Sequence, residues 1–172
     1  MRRVAGAALL ALGALGPGAA GAACELATSG IAFGAYGPLD EGHRDSRGQI
    51  EVVCSAAAGA AVSYAIRLSG GLGGGFRPRS MGRGGAKLGY NLFVNPARSQ
   101  IWGDGNAGTE VVAARFTMPE GGGPVTRSHP VYGRLFARQS VPVGAYSDAV
   151  QATLQSCAGT QCRVETALLE VR

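Results

Sequence analysis

The chain reads as an all-β protein, a two-layer β-sandwich, for three reasons. Its apolar residues alternate with polar ones at the period of two that one-sided strands require. The clearest case is Val150, Ala152 and Leu154 set against Gln151, Thr153 and Gln155. Turn formers punctuate these runs: 29 of the 172 residues are Gly and 8 are Pro, and they cluster between the alternating stretches. No long helical pattern precedes the C-terminus. Seven or more short strands separated by Gly/Pro turns specify a sandwich.

The length suits one domain with a sizeable core. Residues 1–23 read as a secretory leader that is removed. Arg2 and Arg3 precede an Ala/Leu/Gly run, and Ala20-Gly21-Ala22 forms a small-residue cleavage site. The run is too short for a spanning helix, and no second apolar stretch reaches membrane length. The expected location is therefore the periplasm and then the cell surface or the exterior. Loss of the two leader arginines lowers the net charge of +5 by two. The basic residues that remain are spread out. Arg77, Arg79 and Arg83 form the one cluster, which reads as a solvated loop with few aromatics interleaved, so nucleic acid is not an expected partner.

Four cysteines in an exported chain imply two disulfides with three possible connectivities. The short spacing of Cys157 and Cys162 fits a bridge across a hairpin, which leaves Cys24 with Cys54. One C-x4-C with two scattered histidines is poor zinc spacing, so no metal or other cofactor is expected.

In order, residues 26–36 form a first strand with Ile31 and Phe33, ending at Gly37-Pro38. Residues 39–48 form a charged loop. Residues 49–55 and 61–69 are strands, the second with Val62, Tyr64, Ile66 and Leu68 on one face. The glycine run 70–75 lacks the following helix and Lys-Ser/Thr pair that a phosphate cradle needs, so it is a loop. Residues 87–94 form a strand. Trp102 is a core plug, and Asp104 a turn former bonding nearby backbone N–H groups. Residues 111–118 form a further strand. The stretch 131–154 reads as two strands joined by a turn at Val141-Pro142-Val143-Gly144.

No catalytic constellation assembles. There is no G-x-S-x-G elbow and no H-E-x-x-H pair, while His129, Asp104 and Asp148 fit turn or surface roles. An enzyme is not expected.

Eight short motifs occur in order: Phe33-Gly34-x-Tyr36-x-Pro38, Gly48-x-Ile50-x-Val52-x-Cys54, Tyr64-x-Ile66-x-Leu68-Ser69, Arg79-x-Met81, Leu88-x-Tyr90-x-Leu92, Trp102-Gly103-Asp104-Gly105, Tyr132-Gly133-Arg134 and Gly144-x-Tyr146-Ser147-Asp148. Together they resemble the spore coat protein U domain family, whose domain also forms the subunits of archaic chaperone–usher pili. The resemblance covers roughly residues 24–154. It implies an immunoglobulin-like, pilin-type sandwich lacking its final strand. A periplasmic chaperone fills the resulting groove, and an extension of the next subunit then replaces it at the outer-membrane usher. Backbone pairing supplies affinity, and alternate side chains enter the core. In this chain the implied edge is 149–155, and the groove floor is Val150, Ala152 and Leu154. Cys24 and Cys54 match the family's disulfide positions.

Two departures shape the expectation. Polymerising subunits carry a donor segment ahead of the first cysteine, whereas here Cys24 follows the cleavage site almost directly, so a tip position is expected. Family members commonly end near Leu154, yet this chain continues, so that the domain 24–172 carries an extension at 155–172. A hairpin closed by Cys157–Cys162 sets Leu154 opposite Glu165, Ala152 opposite Ala167, Val150 opposite Leu169 and Asp148 opposite Val171. Opposed residues share a face, so Ala167, Leu169 and Val171 would complete the core as a self-complementing strand. A helix is the alternative, since Val164, Ala167, Leu168 and Val171 also fit helical spacing. The hairpin bridge favours the strand.

The expected function is that of an exported structural or adhesive subunit of a chaperone–usher type pilus. It would act by donor-strand pairing in surface attachment and biofilm formation, with chaperone, usher and other subunits as partners. The alternative is a self-complemented secreted module that binds a surface or glycan ligand and does not polymerise.

Overall fold

Among the described residues, nine strands and no helix form two antiparallel sheets. The computed structural model describes residues 22–172. The expected leader, residues 1–23, lies outside the described residues save for Ala22 and Ala23. The strands are β1 (Ala23–Ser29), β2 (Arg44–Ser55), β3 (Ala61–Leu68), β4 (Arg79–Arg83), β5 (Ala86–Phe93), β6 (Val112–Thr117), β7 (Val125–Leu135), β8 (Asp148–Ala158) and β9 (Gln161–Val171). One sheet has the order β1-β2-β7-β5-β4, the other β6-β3-β8-β9.

The alternation of the sequence becomes the inner faces of these sheets. Ile50, Val52 and Cys54 of β2 and Val62, Tyr64, Ile66 and Leu68 of β3 are buried, as are Val150, Ala152 and Leu154 of β8. Burying one face of each sheet against the other gives a single core, with Trp102 fully enclosed in it. The Trp102 indole N–H donates to the Ile66 carbonyl at 3.0 Å, which satisfies its one polar group. The result is an immunoglobulin-like sandwich whose last position, beside β8, is occupied by the chain's own C-terminal strand.

The first strand divides its pairing between the sheets. Residues 23–29 pair with β2. The chain then crosses, and Ile31 bridges Val171 in parallel on the far side of β9. Two glycines make room for the crossing. A Cβ on Gly48 would lie 2.7 Å from the Ile31 side chain, and one on Gly133 would lie 3.0 Å from the Phe33 ring. The single strand expected over 26–36 is thus a strand and a crossover.

Other boundaries differ from the sequence reading. The charged loop expected over 39–48 becomes β2 from Arg44 onward, because Asp45 faces Arg134 across the β2–β7 ladder and binds it in a fork at 2.8 and 2.9 Å. The two strands expected between 131 and 154 do not form a hairpin. β7 and β8 lie in different sheets, and residues 136–147 connect the layers. Arg79 is not in a solvated loop; it lies on β4 and is fully buried.

Between β3, β6 and β7, aromatic and cationic groups pack together. Tyr64 hydrogen-bonds His129 at 2.7 Å, and Arg127 stacks over the Phe116 ring. Burial, aided by the nearby Arg127 charge, lowers the His129 pKa. The folded protein therefore disfavours the imidazolium relative to the unfolded chain. Stability is expected to fall as pH drops through the ordinary histidine pKa of about 6.5, and to level off below the lowered folded value. Urea midpoints across that range should show this step, and His129→Gln should remove it.

Both disulfides form, Cys24–Cys54 across the β1–β2 ladder and Cys157–Cys162 across β8–β9. They close segments of 30 and 5 residues. Chain-entropy scaling makes the first worth about 4 kcal/mol and the second about 2 kcal/mol. Chemical denaturation of the two Cys→Ser pair variants should rank them in that order.

Candidate functional site

The candidate site is the strip of core beside β8. Its floor is set by the inward residues Val150, Ala152 and Leu154, which β3 flanks on one side through the pairs Leu68–Ala152 and Ile66–Leu154. On the other side β9 pairs antiparallel along its whole length. Val171 faces Asp148, Leu169 faces Val150, Ala167 faces Ala152 and Glu165 faces Leu154. Leu169 and Val171 are fully buried, and Ala167 is half-buried. Glu165 lies beyond the covered part of the core and is exposed. The outward residues Val164 and Leu168 are exposed as well. Alternation, rather than composition, thus decides which apolar side chains of the tail leave water.

The far edge of β9 is held at its C-terminal end by the crossover. The Ile31 N–H donates to the Glu170 carbonyl at 2.8 Å, the Arg172 N–H to the Ile31 carbonyl at 2.9 Å, and the Phe33 N–H to the Arg172 carbonyl at 2.7 Å. The Thr28 hydroxyl donates to the Leu168 carbonyl at 2.6 Å. β9 is therefore clasped between β8 and the segment 28–33 from Leu168 to its end.

β8 itself is pinned at both ends. At the end near the hairpin, the Cys157–Cys162 bridge fixes it to β9. At its start, buried Asp148 accepts from the Tyr90 hydroxyl at 2.6 Å, the Leu72 N–H at 2.7 Å and the Ala149 N–H at 2.8 Å. The Tyr90 hydroxyl is pushed well above its ordinary pKa by burial and by this bond, so it stays a donor. Gly71 packs so tightly on the carboxylate that a Cβ there would overlap it, and its φ of +69° also favours glycine. Asp148 thus does not take the surface or turn role read from the sequence. It ties the glycine loop 70–75 to the first residue of the groove.

Arg79 braces the same region. It donates to the Ser69 carbonyl at 2.8 Å, the Trp102 carbonyl at 2.7 Å and the Asn91 side-chain oxygen at 2.8 Å, and its guanidinium lies over the Phe76 ring. Burial pushes its pKa down to about 10, which leaves it charged at neutral pH. Its signal in the sequence was slight: Arg79 and Met81 alternate as a strand would, but an arginine beside two others reads as surface. One buried polar atom near the site, the Ser156 hydroxyl, has no hydrogen-bond partner among the described residues.

Beyond Val171 the core opens into a cavity of about 370 Å³ lined by Phe33, Met81, Leu88, Leu135, Val141 and Tyr146, with Arg172 at its wall. The Tyr146 hydroxyl donates to the Pro142 carbonyl at 2.8 Å, so the lining presents mainly apolar surface. Among the described residues no cluster of His, Cys, Asp and Glu could hold a metal ion. No helix among them is long and apolar enough to cross a membrane.

The sequence profile described as Spore Coat Protein U domain matches residues 16–153. No curated protein matches the chain. Solved structures with a similar fold include a mutant of the CFA/I adhesin CfaE of enterotoxigenic E. coli, 14% identical, covering 82% of this chain and 44% of that one at a TM-score of 0.46. The CsuC–CsuE chaperone–tip adhesion subunit complex from the archaic Csu pili of Acinetobacter baumannii is 17% identical, covering 84% and 40% at 0.44. The CupB6 tip adhesin of Pseudomonas aeruginosa is 11% identical, covering 86% and 52% at 0.45. The chain thus spans about half or less of the length of these proteins.

The alternation of β9 gives a sharp contrast. Leu169→Ala should destabilise the domain by about 3 kcal/mol, the cost of a buried leucine with its cavity. Leu168→Ala, one residue away and exposed, should change stability by less than about 0.5 kcal/mol. Equilibrium unfolding of the two variants measures both; equal effects would mean that β9 does not dock with this face inward.

Proposed function

Because the chain belongs to the spore coat protein U domain family, we propose that it is an exported structural or adhesive subunit of the chaperone–usher pilus type, acting in surface attachment and biofilm formation. Its donor strand is its own β9. The observation that carries this reading is the unbroken pairing of Gln161–Val171 with Asp148–Ala158, which puts Leu169 and Val171 into the core strip that the family leaves to a partner. Residues 24–172 then act as one unit, and the extension 155–172 completes it.

On this reading the periplasmic chaperone has a brief task. It protects the edge 149–155 after export and gives way when β9 folds back, without another subunit's extension. Chain entropy favours the intramolecular strand: the turn at Ala158–Gln161 links it to β8 directly, so its effective concentration is far above that of any free donor. Contact with the usher and with other pilus subunits would then use surfaces other than the β8 groove.

A second reading is favoured by the same filled groove: a secreted, self-complete module that binds a ligand and does not polymerise. A shallow hollow between Arg77, Phe93, Ile101 and Phe136, lined mainly by apolar and aromatic surface, offers the kind of face on which a sugar ring stacks. Loss of surface attachment in a deletion strain, with the protein found in sheared pili, would support the first reading. Attachment unchanged and the protein free in the medium would support the second.

Deletion of residues 163–172 tests the shared basis of both. The shortened chain, exported without a chaperone, should aggregate, and a peptide of sequence 161–172 added during refolding should restore soluble protein. A shortened chain as soluble and as stable as the parent would overturn the self-donated strand.

A further inference from the structure

We propose that two copies of this chain pair through the free edge of β9, antiparallel across a two-fold axis at Val164. β9 is the terminal strand of its sheet. β1 and the crossover approach its C-terminal half and hydrogen-bond its outer edge only from Leu168 onward. Among the described residues, no backbone hydrogen bond reaches that edge between residues 161 and 167. An uncovered edge of this kind is a template for another strand.

The phase of the edge is fixed by the hairpin. Cys157 and Cys162 face each other with Cα atoms 4.1 Å apart, the narrow spacing of a non-hydrogen-bonded antiparallel pair. Arg163, Glu165 and Ala167 therefore direct their backbone groups at β8, while Cys162, Val164 and Thr166 direct theirs outward. The covered end agrees with this phase, since the carbonyls reached from outside belong to Leu168 and Glu170.

The side chains select the occupant and its position. An axis at Val164 sets Arg163 opposite Glu165 of the second copy and Glu165 opposite its Arg163, on one face. On the other face Val164, 62% exposed in the single chain, meets its own counterpart. Directly opposed unlike charges stabilise a ladder, and like charges oppose it. The three outward residues of each copy pair as Cys162–Thr166, Val164–Val164 and Thr166–Cys162, for about six backbone hydrogen bonds. An axis at Thr166 would set Glu165 against Ala167 and require the Leu168 carbonyl, which Thr28 already holds. An axis at Cys162 would set Glu165 against Gly159. Only the Val164 axis pairs both charges. The pairing is isologous and closed, so it yields a dimer, joining two four-stranded sheets into one. It rests on β9 being docked on β8, as proposed above.

The test uses the exported chain and its charge variants. R163E and E165R each place like charges across the axis, so each alone should associate at least about tenfold more weakly than the parent in sedimentation equilibrium. Mixed together they restore unlike pairs and should form a heterodimer of parental affinity, and the double variant should dimerise with itself. Both residues are exposed, so unfolding transitions should match the parent and exclude misfolding as the cause. A parent that stays monomeric to millimolar concentration with one cooperative transition would overturn the pairing and leave the self-completed domain standing. A mixture that fails to associate while the parent dimerises would also overturn it. Failure of β9 to dock would instead show as a parent that aggregates without a cooperative transition.

Discussion

The pairing of β9 with β8 is the interaction on which the rest of this structure depends. Without it, Val150, Ala152 and Leu154 would border an open strip of core, and one row of β8 backbone groups would lack partners. Burial of Leu169 and Val171 contributes roughly 1.5–3 kcal/mol each, and the ladder satisfies the backbone of a strand that would otherwise be an edge. An intramolecular donor needs no second molecule to supply these terms. That is the physical difference between a sandwich that must wait for a strand from elsewhere and one that carries its own.

The groove is shaped from elsewhere in the chain. Gly48 and Gly133 lower the inner face of the larger sheet so that Ile31 and Phe33 can cross and clasp β9. Asp148, Tyr90 and the N–H of Leu72 fix the first residue of β8, and Arg79 braces the glycine loop against Trp102. These are buried polar contacts in an apolar core, where a missing partner is costly. Their position at the start of β8 fixes which residues face the groove.

The sheet-forming pattern was legible because strands buried on one face write their geometry into alternate residues, as in 62–68 and 150–154. The family was legible because eight weak motifs keep their order. The tail was ambiguous in sequence: Val164, Ala167, Leu168 and Val171 suit a helix as well as a strand, and only the partner strand decides between them. The role of Asp148 was not legible, and that of Arg79 left only the faint trace of its alternation with Met81. A charged residue is buried only when its partners come from distant segments, here Ser69, Asn91 and Trp102 for the arginine and Tyr90 and Leu72 for the aspartate. Local spacing carries no trace of those meetings. The split of the first strand was hidden for the same reason, since the glycines that permit it lie on β2 and β7.

Residue-resolved amide hydrogen exchange on the exported chain, without chaperone or donor peptide, tests the central claim most directly. A docked β9 predicts that the Ala167 and Leu169 amides exchange as slowly as those of Ile66 and Thr153 in the core strands, through global unfolding alone. Exchange of Ala167 and Leu169 at the rate of an unstructured peptide, while Ile66 and Thr153 remain protected, would contradict it and return the groove to a partner.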